Sequence, residues 1–265
     1  MIFYFSGTGN TRWAAEYLAE HTNDKLLFIP DEINGECKYT LAEGENIGFC
    51  FPIHGWQPPK IVREFIKKLS FDNAEGHYTY AVCTCGDTVG KAMSILDRDL
   101  AKHNLKADLE FSLQMPNTYV CLPGMDVDTK RSVDGKYYWN GVMAKGIALK
   151  VNTKLRIIRE LTKGPLPILF TYVIGAFFNK FMITDKPFTV SDEKCIKCGK
   201  CAEVCPVNNI IGGNGSKPEW KHDGSCTNCL ACYHICPNHA INYGKRTRKR
   251  GQYTIDLKEL NNTTK

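Results

Sequence analysis

The sequence has no hydrophobic run long enough to cross a membrane. Its longest, PLPILFTYVIGAFF from Pro165 to Phe178, falls short of the ~18 to 20 residues a spanning helix needs and carries two prolines at its start. It reads as a buried or docking segment, without stable membrane insertion. A secretory signal is also missing, because MIFYFSGTGNT has no basic residues ahead of its short apolar stretch, so a cytoplasmic protein is expected. No dinucleotide fingerprint occurs: after Gly7 and Gly9, Arg12 stands where the third glycine belongs. No phosphate-binding G-x4-GK[ST] occurs either, GDTVGKA at 86–92 being one residue short. These absences argue against direct hydride exchange with a nicotinamide cofactor. With 43% hydrophobic and 23% charged residues, the composition excludes disordered, collagen-like and coiled-coil chains. A length of 265 residues allows one large domain or two smaller ones.

What the chain has in excess is cysteine, 13 in all. In a reducing compartment such a number points to metal or catalytic thiols rather than to disulfides. CIKCGKCAEVCP at 195–206 recurs as CTNCLACYHICP at 226–237. Both are C-x2-C-x2-C-x3-C-P, the spacing of chains that hold two 4Fe-4S clusters, in which three thiolates on a tight loop reach three irons and the fourth serves the other cluster. Cys195, Cys198, Cys201 and Cys236 are therefore expected to hold one cluster, and Cys226, Cys229, Cys232 and Cys205 the other. Zinc favours paired C-x2-C knuckles with four ligands per site, which this spacing is not. With eight thiolates the sets are complete, leaving His222, His234 and His239 as neighbours or surface groups. Cys37, Cys50, Cys83, Cys85 and Cys121 read as small core residues, of which only Cys85, in a loop after a strand, is a candidate for another role.

Through residue 163 short strands alternate with helical patterns. Strands are expected at 1–5, 25–29, 47–51, 78–84 and 109–113, the last as an edge, with helices at 10–20, 59–69, 89–103 and 142–161. About five strand-helix units indicate a doubly wound α/β domain with a five-stranded parallel sheet. Residues 115–140 break the alternation, and their aromatics suggest an ordered flap. Residues 164–186 form an apolar bridge and 187–245 the cysteine-rich domain. Residues 246–265 form a basic tail, with a strand pattern in Tyr253, Ile255 and Leu257. The run KRTRKR at 245–250 has no interleaved aromatics, so it reads as solvated surface, and no nucleic-acid partner is expected. Directly after the first strand, SGTGNT at 6–11 leads into a helix, an arrangement that offers backbone N–H groups to a phosphate.

That loop resembles the FMN phosphate loop of flavodoxins, and the whole chain resembles a family of flavodoxin-ferredoxin fusion proteins that share counterparts of FPIHGW, CTCGD, MPNTYV and MDVDT. The resemblance implies a flavodoxin-like sheet followed by a small α+β ferredoxin domain, with FMN at the carboxyl ends of the strands. It implies that Ser6, Thr8, Gly9, Asn10 and Thr11 bind the FMN phosphate. It places the loop Pro52, His54, Gly55 and Trp56 beside the isoalloxazine ring, with Trp56 as stacking partner, and Thr84, Cys85, Gly86 and Asp87 on the other side. Flavodoxins often carry an aromatic in that last loop; this chain has none there, so the flap or the ferredoxin domain is expected to cover that face. The function implied is electron transfer between FMN, two 4Fe-4S clusters and partner redox proteins. The alternative is an FMN-dependent reductase of a small organic acceptor fed by its own clusters. No acid-base pair stands out, and no catalytic residue is assigned. The formal charge of +6 is offset by the cofactors: eight thiolates on two cubane cores add roughly −4 and the phosphate about −1.5 to −2.

Overall fold

A computed structural model describes residues 1–256 and Leu260. The strands β1 (Ile2–Tyr4), β2 (Leu26–Phe28), β3 (Ile47–Pro52), β4 (Thr79–Cys85), β5 (Leu109–Gln114) and β6 (Ile158–Glu160) form one parallel sheet, in the order β2-β1-β3-β4-β5-β6. The helices α1 (Asn10–Thr22), α2 (Lys60–Lys68), α3 (Ala92–Leu100) and α4 (Lys130–Asn152) cover its two faces. β4 is buried throughout and β3 nearly so, as expected for central parallel strands with helices on both sides. Alternation along β3 divides the core. Phe49 and Phe51 pack with Val62 and Phe65 of α2 and Leu96 of α3, whereas Cys50 packs with Trp13 of α1 and Ile147 of α4. Each fully buried side chain such as Phe65 contributes roughly 1.5–3 kcal/mol.

The sheet has six strands where the sequence pattern predicts five, and β6, not β5, is the edge. The helix expected over 142–161 instead begins at Lys130 and ends at Asn152. Lys154 and Ile157 adopt left-handed backbone (φ 52° and 65°), which stops the helix. Asp108 then captures the returning chain, its carbonyl accepting from Ile157 N at 2.7 Å and its carboxylate from Arg156 at 2.6 Å. The strand that follows contains Arg159 and Glu160, both exposed, so no apolar alternation announces it. The early start of α4 shortens the flap as well: residues 115–129 are loop, and Thr129 caps the helix by accepting from Ser132 N.

The bridge is a helix, α5 (Pro167–Phe181), with a π turn at Phe170–Ile174. Thr171, Gly175 and Phe178 form its buried face, while Leu166 just before it, Val173, Phe177 and Phe181 are exposed. Among the described residues, no helix is long and apolar enough to cross a membrane. The cysteine-rich domain follows with β7 (Phe188–Val190), α6 (Lys200–Glu203), the hairpin β8 (Ile210–Gly213) and β9 (Ser216–Trp220), α7 (Ala231–Ile235) and β10 (Ile241–Tyr243), which pairs antiparallel with β7. Trp220 stacks on Phe188 with centroids 4.9 Å apart. Val120 and Cys121 of the flap are fully buried in this same core, which explains why the flap is ordered.

Tyr253 and Ile255 lie in no strand, and Leu257 is outside the described residues. Instead the chain after Thr247 is a strap between the domains. The Tyr233 hydroxyl donates toward the carbonyls of Arg250 and Gly251, Gly251 N donates to Asp126, and Tyr253 reaches the start of α1.

Candidate functional site

β1 delivers the chain into the loop at 6–9, and Gly9 precedes α1 in left-handed conformation (φ 99°). No side chain caps α1 and no acid lies in its first turn, so its leading N–H groups and the positive end of its dipole remain free for an anion. Ser6 Oγ accepts from Gly9 N at 3.3 Å. Asn10 is held at both ends of its amide: Nδ2 donates to Pro116 O at 3.0 Å, and Oδ1 accepts from the Tyr253 hydroxyl at 2.9 Å. The Thr11 hydroxyl lies 2.7 Å from that of Thr84, tying the loop to the end of β4.

Above the carboxyl ends of β1, β3 and β4 lies a cavity of about 440 Å³, within the roughly 300–1,000 Å³ of cofactor sites. Ser6, Thr8, Asn10, Thr11, Pro52, His54, Gly55, Trp56, Thr84, Cys85, Gly86 and Asp87 all line it. Gly9 does not. It turns toward the strap, where an added Cβ would meet Ile255 Cγ2 at 2.7 Å. Trp56 donates its ring N–H to Thr88 Oγ1 at 3.0 Å, and its ring tilts against Phe170 of α5 at 4.7 Å. Burial holds the His54 ring down at about 4, so it is neutral at physiological pH. Asn179 of α5 fastens this loop by donating to His54 O at 2.9 Å.

The remaining walls come from the flap and the cysteine-rich domain, the two segments expected to cover this face, and from α5. Tyr119 and Leu122 of the flap, Phe178 of α5, and Thr227, Asn228 and Cys229 of the second cysteine motif all face the same space. MPNTYV gave a signal for Tyr119. Thr227 and Asn228 had none, because they read as spacers between ligands.

The cysteines gather in two groups. Cys195, Cys198, Cys201 and Cys236 line one small void, although Cys236 belongs to the second motif. Cys226, Cys229 and Cys232 lie within electrostatic reach of one another and of Cys205. The short helices α6 and α7 carry each fourth cysteine across. Backbone N–H groups aim at equivalent sulfurs in the two repeats, from Asn209 to Cys205 and from Ala240 to Cys236, both at 3.2 Å. Such bonds tune cluster potentials. Among the described residues no three metal-binding side chains converge as around a single ion; a cubane spreads its thiolates over four irons. Cys198 is exposed, while Cys201 and Cys232 are buried. Cys37, Cys50, Cys83, Cys85 and Cys121 are all buried. His222 pairs with Asp185 at 2.9 Å, and His234 bridges Thr118 O and Tyr253 N.

Gly7 stands where the two regions meet, since a Cβ there would lie 2.4 Å from Cys229 Cβ. The cavity also suits a polar ring cofactor. Asn228 Oδ1 is buried without a hydrogen-bond partner, and Asn228 lines the cavity. An anion subsite at α1, an aromatic-flanked slot and an unsatisfied amide oxygen fit FMN.

Comparison with known proteins agrees with this layout. Residues 1–125 match the flavodoxin domain, and residues 188–249 match the 4Fe-4S dicluster domain. No curated protein matches the chain. Similar solved structures include a protein from Bacteroides uniformis assigned as a flavoprotein (20% identity, 43% of this chain and 88% of that one, TM-score 0.34). A second, from Bacteroides eggerthii and likewise assigned, has 20% identity over 54% of this chain and 96% of that one, with TM-score 0.32. Rubredoxin:oxygen oxidoreductase from Desulfovibrio gigas has 21% identity over 58% of this chain and 36% of that one, with TM-score 0.29. Two domain matches in this order on one chain make the protein a flavodoxin-ferredoxin fusion, an electron-transfer protein of FMN and iron-sulfur chemistry.

Proposed function

We propose that the chain relays low-potential electrons between an FMN held in the interdomain cavity and two 4Fe-4S clusters, and passes them to a separate redox protein. The observation that carries this is the position of Cys229, which belongs to the second motif and yet forms part of the wall of the flavin cavity, against Gly7. Bound FMN exchanges electrons in pairs or singly, whereas each cluster carries one. The chain supplies placement and tuning. The start of α1 holds the phosphate, the loop at 52–56 and the flap flank the ring, and α5 with the flap shields the cavity from water. Cys226, Cys229, Cys232 and Cys205 hold the inner cluster beside the flavin. Cys195, Cys198, Cys201 and Cys236 hold the outer one, and exposed Cys198 puts it within reach of a partner. Fusion makes the encounter of centres intramolecular and independent of protein concentration.

The alternative, reduction of a small acceptor at the flavin, has less support. Two of the three carboxylates that line the cavity are committed, Asp128 to Lys136 at 2.8 Å and Asp126 to Gly251 N at 2.8 Å, while Asp87 is exposed and burial keeps His54 neutral. Anaerobic stopped-flow reduction tests the relay. Flavin and cluster absorbances should relax together at a rate that does not change with protein concentration; flavin and clusters that never equilibrate within one molecule would refute it.

A further inference from the structure

The two cysteine motifs share a spacing but differ in the residues between their first two ligands. In the first motif these are Ile196 and Lys197, both exposed; in the second they are Thr227 and Asn228, which are 8% and 4% exposed. Lys197 and Asn228 adopt the same left-handed backbone (φ 56° and 52°), so chain conformation does not explain the change from lysine to a buried amide. The hydrogen bonds of Asn228 are lopsided. Nδ2 donates to Met182 O at 3.2 Å and to the Tyr243 hydroxyl at 3.3 Å, while Oδ1 is buried without a partner. The Met182 carbonyl, which can only accept, fixes which end of the amide is oxygen. Thr227 is oriented differently: its hydroxyl faces the Cys229 thiol. A buried carbonyl oxygen left unpaired is costly, and one beside a cofactor cavity is matched when the cofactor brings a donor.

We infer that the Cys226–Cys229 loop is part of the flavin site, and that Asn228 Oδ1 accepts the hydrogen bond of the isoalloxazine imide N–H. This rests on the FMN reading above. In the oxidised ring the imide nitrogen is the only N–H, so an acceptor-only atom facing the ring can recognise only that position; a bond to a ribityl hydroxyl, the other kind of donor in FMN, would be indifferent to methylation there. One loop then ligates the inner cluster with Cys226 and Cys229 and orients the flavin with the residue between them. The flavodoxin domain lacks this part of its own cofactor site, and the ferredoxin domain supplies it.

The test is anaerobic titration of flavin-free protein, clusters intact, with oxidised FMN and with FMN methylated at the imide nitrogen. Flavin fluorescence gives Kd, and iron and sulfide assays report the clusters. Asn228→Ala should weaken FMN about tenfold, the size of one buried hydrogen bond, with iron and sulfide equal to wild type. Tyr243→Phe removes a partner of Nδ2 but not Oδ1, and should stay within about twofold. The methylated flavin should bind wild type as weakly as Asn228→Ala binds FMN, with no further loss in the variant. FMN affinity within twofold of wild type in Asn228→Ala, or an equal loss in Tyr243→Phe, would overturn the assignment. Wild-type protein that binds neither flavin would instead overturn the FMN reading itself.

Discussion

At Gly7 a single hydrogen in place of a methyl group lets two distant motifs touch. The phosphate loop and the second cysteine motif touch there, and Gly7→Ala would put a Cβ 2.8 Å from the sulfur of Cys229. Neither neighbour is a flexible side-chain end, so the loops must part. Overpacking of this kind costs about 1–3 kcal/mol. The variant is expected to lose stability in chemical denaturation and to purify with less FMN and less iron than wild type. Glu110 on β5 poses a different residue problem. It is fully buried, neither carboxyl oxygen has a hydrogen bond, and Arg159 Nε lies 3.5 Å away. Burial and the facing Asp97 carboxyl push its pKa up to about 8. Between pH 4.5 and 8 the folded chain therefore holds a proton that the unfolded chain has released, and Glu110 destabilises the fold increasingly as pH rises. Glu110→Gln removes that dependence. Its gain in Tm over wild type should be small at pH 5.5 and largest near pH 8. The two cysteine groups and the loop at 6–11 beside the cavity were legible in the sequence because cysteine spacing and a strand-loop-helix turn are local patterns. Asn228 was not, because its partners Met182 and Tyr243 lie 46 and 15 residues away.

Among the elements, the strap after the basic run is one whose sequence pattern misled. Its alternation of Tyr253, Ile255 and Leu257 resembles a strand, but no neighbouring strand meets Tyr253 to Asp256, and the side chains are used singly as anchors. The Tyr253 hydroxyl donates to Asn10 Oδ1 at 2.9 Å and lies 2.9 Å from the Tyr137 hydroxyl, which in turn accepts from Asp256 N. Tyr253→Phe leaves Asn10 Oδ1 without its donor in a buried setting and should cost about 1–3 kcal/mol. Because Asn10 then loses its brace at the start of α1, FMN should also dissociate faster, which the rise of free-flavin fluorescence after rapid dilution would measure. The helix α5 has a similar role on the opposite side of the cavity. Thr171 Oγ1 accepts from Lys91 N and Gln57 donates to Thr171 O, both at 2.8 Å, so its inner face locks the two loops that flank the flavin slot.

For the whole molecule, the consequence is that the cavity and the domains do not coincide. The cavity takes one wall from the cysteine-rich domain, and the core of that domain takes Val120 and Cys121 from the flap of the first. Stripping iron with a chelator under anaerobic conditions should therefore loosen Thr227 to Cys229 and release FMN, seen as a rise in free-flavin fluorescence that follows loss of cluster absorbance. Retention of fully bound flavin after complete iron loss would show that the two sites are independent. Composition, local periodicity and ligand spacing determined which chemistry this chain carries: a doubly wound α/β domain with a phosphate loop, and a domain with two cubane motifs. Each is written within a few consecutive residues, where backbone geometry alone dictates the pattern. Tertiary structure decided how those parts share a site. The sixth strand depends on Asp108 catching a turn 48 residues later, and the flavin cavity on contacts between residues more than 100 positions apart. Such pairings arise from packing and from satisfying buried polar groups across the whole fold, and no local stretch of sequence records them.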